Sequence, residues 1–319
     1  MKFYPLTFEP ILKERIWGGT KLKTYLNKPI ASDSTGESWE LSTVPNDVSV
    51  VKNGVFKSKN VNELIQLYPN EFLGSETITR FGTEFPLLFK FLDAKQDLSI
   101  QLHPNDELAK KRHNSFGKTE MWYVMQVDEG AKIIVGFEKD SNPEEYQKEL
   151  DRKNLVSILK QVEVKVGDVF FLETGTIHAI GAGIVIAEIQ QTSDITYRVY
   201  DFDREDVNGV KRELHTELAL EAINYKTTKS QIEYDTKINT SNNIVDCAYF
   251  KTNIIPLVEV YNWEKTKEAF TVLMCTKGAF EIEYNDSITT YKMGDTVLLP
   301  AILDKIKLKG NATLLEISI

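Results

Sequence analysis

The 319-residue chain reads as a mainly β protein in which one barrel unit occurs twice, interrupted by a small helical insertion. Two observations lead there. Short apolar runs bounded by turn residues recur from end to end, among them 86–92, 121–127, 168–172, 183–189 and 296–299. In addition, Lys165-Val-Gly-Asp-Val-Phe-Phe-Leu172 returns as Lys292-Met-Gly-Asp-Thr-Val-Leu-Leu299, a constant offset of 127 positions (165 to 292). Upstream of each copy stand a strand pattern, a turn ending in Gly-Ala (Gly130-Ala131 and Gly278-Ala279), and a further strand. A repeated strand-turn-strand followed by Gly-Asp-strand is the sequence form of duplicated cupin-type jelly-roll barrels.

Helical patterns are few. A short one covers Val61 to Tyr68, and Asp106 to Lys110 is helix-like. Asn142-Pro143-Glu144-Glu145 opens a helix with a capping amide, a proline at the first helical position and acids in the first turn. It runs through Leu150, a second short helix follows at about 154–160, and another spans about 213–224. The polar stretch Lys226 to Asn243 marks the boundary between units. Residues 1–235 then form one unit, with helical insertions at about 142–160 and 213–224, and residues 236–319 form the second. Carrying the repeat offset forward from His178 lands on Lys305, and no histidine follows His215. The second barrel is therefore expected to be free of metal and to pack on the first.

Composition narrows the function. A formal net charge of −9 argues against nucleic acid or an anionic membrane surface as partner. An anionic substrate would need a local basic pocket working against that field. Cys247 and Cys275 lie outside any CxxC spacing and read as reduced core residues of a cytoplasmic protein. The N-terminus lacks an apolar leader core, and no apolar stretch reaches the roughly 18 residues of a membrane span. A monomer or weak homo-oligomer is expected.

The chemistry gathers around a small set of residues. Gln101 and His103 lie two apart, so on a strand both point to one face, with Ile100 and Leu102 on the other. Glu120 and His178 follow on later strands. Two imidazoles, a carboxylate and an amide oxygen form a mixed N/O set suited to one divalent ion, zinc before others. A polar inward face needs such a partner, because an unsatisfied buried polar group costs roughly 1–3 kcal/mol. Ser99 shares the parity of Gln101 and His103, and Lys118 that of Glu120. Lys90 sits inside the apolar run Leu88-Phe-Lys-Phe-Leu92. Arg198 alternates with Tyr197 and Val199 and suits an oxyanion or phosphate, against a bland salt bridge to Asp194 or Asp201. Glu188 reads either as an acid/base or as half of a buried Arg–Glu pair. His113 is expected at the surface, and His215 carries no assigned chemistry.

Several ordered motifs resemble those of type I phosphomannose isomerases of the short bacterial form. They are Ile16-Trp-Gly-Gly19, Gly36-Glu-Ser-Trp-Glu40, the 86–92 run, Leu98-Ser-Ile-Gln-Leu-His-Pro-Asn105, Gly117-Lys-Thr-Glu-Met-Trp-Tyr123, Gly175-Thr-Ile-His-Ala179 and Ser193-Asp-Ile-Thr-Tyr-Arg198. The resemblance implies zinc on Gln101, His103, Glu120 and His178, with Arg198 as active-site arginine. It places Ser99 and Lys90 near the substrate phosphate or adjacent oxygens, and Lys118 and Glu188 at proton-transfer positions. The implied reaction interconverts mannose 6-phosphate and fructose 6-phosphate through an enediolate. A ligated histidine is a poor base, so Glu188 or an activated water is favoured over His178 and Lys118. The Gly181-Ala-Gly183 loop departs from larger relatives. Two rival classes stand beside this one: a cupin-type Fe(II) dioxygenase and a non-catalytic sugar-phosphate sensor.

Overall fold

The computed structural model describes residues 2–206 and 208–319. Its first strands are β1 (Ile11–Gly19), β2 (Thr35–Leu41), β3 (Leu87–Ala94), β4 (Ile100–Leu102), β5 (Glu120–Val127) and β6 (Lys132–Phe137). Next come β7 (Leu159–Glu163), β8 (Val169–Leu172), β9 (His178–Ile180), β10 (Ile184–Gln191), β11 (Tyr197–Tyr200) and β12 (Gln231–Ile232). The C-terminal part adds β13 (Asn242–Asp246), β14 (Lys251–Glu264), β15 (Thr271–Tyr284), β16 (Ser287–Lys292), β17 (Thr296–Leu299) and β18 (Lys305–Ser318). Helices are short: α1 (Lys21–Thr24), α2 (Val61–Leu67), α3 (Pro69–Phe72), α4 (Ser75–Phe81), α5 (Asp106–His113), α6 (Pro143–Asp151) and α7 (Thr216–Ala222).

Among the described residues three antiparallel sheets form. A seven-stranded sheet runs β1-β2-β3-β10-β5-β8-β12, and a five-stranded sheet runs β11-β4-β9-β6-β7. The third, six-stranded, runs β13-β14-β18-β15-β16, with β17 pairing β15. The mainly β class is thus as the sequence predicts, with the C-terminal unit gathered in the third sheet.

Strict alternation explains why β3, β5 and β10 look apolar throughout. Phe89, Phe91, Met121, Tyr123, Val185 and Ala187 point to one face, where they join a core shared with β14, β15 and β18. Leu92, Trp122, Val124, Ile184 and Ile186 point to the other, packing on Ile133, Val135 and Ile180 of the five-stranded sheet. Both faces are covered, so hydrophobicity cannot alternate. Where Lys90 and Glu188 interrupt the second face, the sandwich opens into a polar cavity, with Glu120 buried nearby.

The outer face of the five-stranded sheet carries the helical insertions. Ile100, Leu102, Tyr197 and Val199 bury against Tyr146 of α6 and Ala219 of α7. Asn142 caps α6 by accepting the Glu145 amide, with Pro143 at the first position, as its sequence signals dictate. The expected helix at about 154–160 is a 3-10 turn over Leu155–Ile158, which then extends as β7. The helix expected over about 213–224 is confined to Thr216–Ala222. Helices α3 and α4 are not expected from the sequence; neither has a side-chain N-cap such as Asn60 gives the seven-residue α2.

The repeat is a repeat of geometry. Gly167 and Gly294 both adopt left-handed backbone, at φ 93° and 92°. Asp168 then accepts the Lys165 amide at 2.9 Å, and Asp295 the Lys292 amide at 2.8 Å. Each turn launches its strand, β8 beside β5 and β17 beside β15. The N-terminal segment crosses to the third sheet, where Leu6 exchanges backbone hydrogen bonds with Leu298 at 2.8 Å.

Candidate metal centre and its pocket

Two strand ladders face each other across the sandwich and deliver the predicted side chains to one place. In the five-stranded sheet, Arg198 stands opposite Gln101, and Gln101 opposite His178. In the seven-stranded sheet, Trp39 stands opposite Lys90, Lys90 opposite Glu188, and Glu188 opposite Trp122. Glu120 opens β5, and His103 follows the end of β4.

His103, Glu120 and His178 converge, each offering one donor atom within 4.8 Å of the others, and all three are buried. Glu120 approaches His178 Nε2 at 3.4 Å and His103 Nε2 at 3.6 Å. The ring orientations are fixed from behind. His103 Nδ1 donates to the Ile195 carbonyl and His178 Nδ1 to the Thr176 carbonyl, each at 2.8 Å. Each ring therefore turns a lone pair on Nε2 toward the carboxylate, the arrangement metal-binding imidazoles adopt. Burial depresses both imidazoles, helped by the Lys118 charge, and His178 falls to about 3, so both are neutral and able to ligate.

The centre fits a cation. Glu120 Oε1 and His178 Nε2 are buried without a hydrogen-bond partner, although a lone pair in such a place costs roughly 1–3 kcal/mol. Burial also raises the Glu120 carboxyl, against the Lys118 ammonium it touches. That ammonium stands among the same donors, 3.0 Å from His103 Nε2, so a positive charge is already favoured there. Gln101, the strand partner of His178, is half-buried, its Oε1 accepting from Ser99 Oγ at 3.2 Å.

Beyond the donors opens a cavity of about 420 Å³, a size suited to a small polar ligand. Lys90, Lys118, Glu188, Gln101, His178 and Arg198 all line it. Lys90 Nζ lies 3.1 Å from Glu188 Oε1, and Trp122 Nε1 donates to Glu188 Oε2 at 2.9 Å. Burial would raise Glu188, but Lys90 and Lys118 override it and hold the carboxyl below its usual range. The partner of Glu188 is thus a lysine, not the arginine that a buried Arg–Glu pair would need. Neither bland salt bridge forms at Arg198. Asp201 is taken by Arg204 and Arg212, while Arg198 Nε donates to Ser99 Oγ at 3.3 Å and Nη1 to the Glu213 carbonyl at 2.9 Å. Among the described residues Arg198 has no ion pair, although burial and the charges of Arg212, Arg204 and Arg15 lower its pKa.

Several lining residues escaped the sequence reading. Arg15, Glu37, Trp39 and Arg212 face the cavity. Glu37 accepts from Arg15 Nε at 2.7 Å and from Trp39 Nε1 at 2.6 Å. The motif Gly36-Glu-Ser-Trp-Glu40 held the clue, since Glu37 and Trp39 share a parity on β2. Of the remaining histidines, His113 is exposed as expected, with Nε2 2.9 Å from Tyr197 Oη. His215 supports the Arg198 strand, its Nδ1 accepting the Arg198 amide at 3.2 Å.

Sequence and structure comparisons converge. Residues 6–155 match the family described as phosphomannose isomerase type I, catalytic domain, and residues 240–319 match the mannose-6-phosphate isomerase cupin domain. The first match ends before His178, Glu188 and Arg198, which full-length relatives span. Mannose-6-phosphate isomerase ManA of Bacillus subtilis is 38% identical over 317 residues, 97% of this chain and 96% of its own. Mannose-6-phosphate isomerase of Streptococcus mutans is 44% identical over 219 residues, 69% of this chain and 67% of its own. A crystal structure of the Bacillus subtilis mannose 6-phosphate isomerase superimposes with TM-score 0.92 at 34% identity, covering 99% of this chain and 100% of that one. On these matches the chain belongs to the type I phosphomannose isomerase family.

Proposed function

We propose that the chain is a zinc-dependent aldose–ketose isomerase interconverting mannose 6-phosphate and fructose 6-phosphate. The observation that carries this reading is the convergence of His103, Glu120 and His178, with Glu120 Oε1 and His178 Nε2 orphaned, beside a cavity that His178 lines together with Arg15, Lys90, Lys118, Arg198 and Arg212. Gln101 completes the ligand set. Zinc, when bound, supplies Lewis acidity toward the sugar oxygens.

The protein groups divide the remaining work. Glu188, held ionised by Lys90, takes the proton from C2 of the open-chain aldose and returns it to C1. The C2 hydroxyl proton leaves as that carbon becomes the ketone, and O1 gains a proton, with Lys118 serving the oxygens. Arg198, desolvated and without an acid partner, stabilises the enediolate or the phosphate. Ser99 and Lys90 contact the phosphate or nearby oxygens. The cavity also brings Arg15 and Arg212 to its wall, so a local positive field exists within a chain of net charge −9.

Residues 1–235 are taken as the catalytic unit and 236–319 as a second unit that holds no metal. The third sheet draws every strand from residues 242–318, in keeping with that division. Among the described residues no helix is long and apolar enough to cross a membrane.

A coupled assay on mannose 6-phosphate, with glucose 6-phosphate and unphosphorylated mannose alongside and elemental analysis of the same sample, tests the reading. Turnover confined to mannose 6-phosphate with stoichiometric zinc supports it. Iron with oxygen uptake, or binding without turnover, overturns it.

A further inference from the structure

A chain of hydrogen bonds runs from the C-terminal sheet to the residues beside the metal centre. Tyr249 lies in the turn between β13 and β14 and donates its hydroxyl to Asp106 Oδ2 at 2.6 Å. Asp106 begins α5, three positions after His103. Its other oxygen accepts the Gly117 amide at 2.8 Å and the Gln191 side-chain amide at 3.0 Å. Gln191 Oε1 in turn accepts the Thr119 amide at 2.8 Å. The path ends one residue from both Lys118 and Glu120.

The approach is too close for any side chain at position 117. A β-carbon on Gly117 would meet the Asp106 amide nitrogen at 2.7 Å, so the loop rests directly on the start of α5. The Lys118 amide also donates to the Pro104 carbonyl at 3.3 Å. Asp106 therefore ties the segment after β4 that carries His103 to the loop leading into Glu120. Its carboxylate needs donors on both oxygens, and the second unit supplies one of them. Burial and the Asp106 charge push the Tyr249 hydroxyl up to about 12, so it remains a donor across the working pH range.

We infer that Tyr249 is a positioning residue through which the second unit holds Asp106, and with it the Lys118–Glu120 segment, in place for metal binding. The inference rests on the metal-centre reading for its purpose but not for its test. Outer partners of metal ligands typically change affinity by 10–100-fold, and Tyr249 lies further out, at the lower end.

Tyr249→Phe removes one hydroxyl and keeps the ring. Loaded with zinc and challenged with excess chromogenic chelator, the full-length variant is expected to release metal about tenfold faster than wild type. Amide exchange at Gly117 and Thr119 should quicken in the metal-free protein too, and kcat should fall several-fold with KM within twofold. Asp106→Asn, which keeps the shape but weakens both ends of the relay, should move every readout further in the same direction. Arg80→Ala serves as the control, since Arg80 donates to the Ala248 carbonyl in the same turn at 2.8 Å without touching Asp106. Wild-type metal release and exchange in Tyr249→Phe would overturn the inference, and so would equal acceleration in Arg80→Ala. Exchange in the metal-free protein reads the relay even if the chain proves not to be an isomerase.

Discussion

Lys90 and Glu188 stand directly opposite each other on β3 and β10, Nζ 3.1 Å from Oε1, with side chains only 8% and 4% exposed. Glu37 reinforces Lys90 from the neighbouring strand, and the ammonium lies 5.0 Å from the centre of the Trp39 ring. A buried pair of this kind is costly to break from one side, because the survivor keeps its charge without a partner.

Lys90→Met should therefore destabilise the fold by about 3–5 kcal/mol in urea unfolding. Glu188→Gln keeps an acceptor for Trp122 and leaves Glu37 as an acid neighbour of Lys90, so it should cost less stability than Lys90→Met. Its turnover should nevertheless fall by about 10²–10⁴-fold, the usual worth of a general base. Near-normal turnover in Glu188→Gln would remove Glu188 from proton transfer.

Arg198→Ala should reduce kcat by roughly 10²–10³-fold while zinc content stays at wild-type level, because the guanidinium contacts Ser99 and the Glu213 carbonyl rather than any metal donor. Arg198→Lys should restore little, since an ammonium lacks the planar fork. Turnover and elemental analysis on one preparation give both readings.

The two Gly-Asp turns make unequal demands. Alanine at Gly167 meets only the Tyr234 hydroxyl at 3.6 Å and bears the left-handed backbone cost, about 1–2 kcal/mol. Alanine at Gly294 pays the same and also meets the Leu26 carbonyl oxygen at 2.7 Å, a backbone atom that cannot swing aside. Gly294→Ala should lower the melting temperature clearly more than Gly167→Ala.

Lys265 gives stability a pH dependence away from the active site. Burial draws its ammonium down to about 7, against the pull of Asp304 and Glu316. In the unfolded chain a lysine holds its proton to about pH 10.4, so between these values the unfolded state binds more protons. Stability from this group therefore rises with pH across that window and is lost as pH falls toward 7. Urea midpoints at pH 7 and pH 9 should rise with pH more steeply in wild type than in Lys265→Met. Equal slopes would refute the shift.

How much of this was legible follows from what each signal requires. Alternation of Gln101 and His103 with Ile100 and Leu102 is a local pattern, so it is visible in the string and correct in space. The Gly-Asp repeat was equally readable, because the glycine backbone and the aspartate turn are both local. Arg15, Glu37 and Arg212 are different. Arg15 and Arg212 look like ordinary surface charges, and only the fold brings them to the cavity; Glu37 shares a parity with Trp39, but which face of β2 turns inward is set by its pairing with β3. Tyr249 lies further still from any local signal, since its partner Asp106 is 143 positions away. The Lys90–Glu188 pairing was hidden for the same reason: strand neighbours are set by sheet order, and β3 and β10 are distant in sequence.

The most direct test of the central claim strips the metal with a chelator and follows isomerisation of mannose 6-phosphate in one sample before stripping, after stripping and after zinc is restored. A single zinc per chain held by Gln101, His103, Glu120 and His178 predicts activity that disappears and then returns, with neither step occurring in Glu120→Gln. Undiminished turnover in the stripped protein, or full activity in Glu120→Gln, would contradict it.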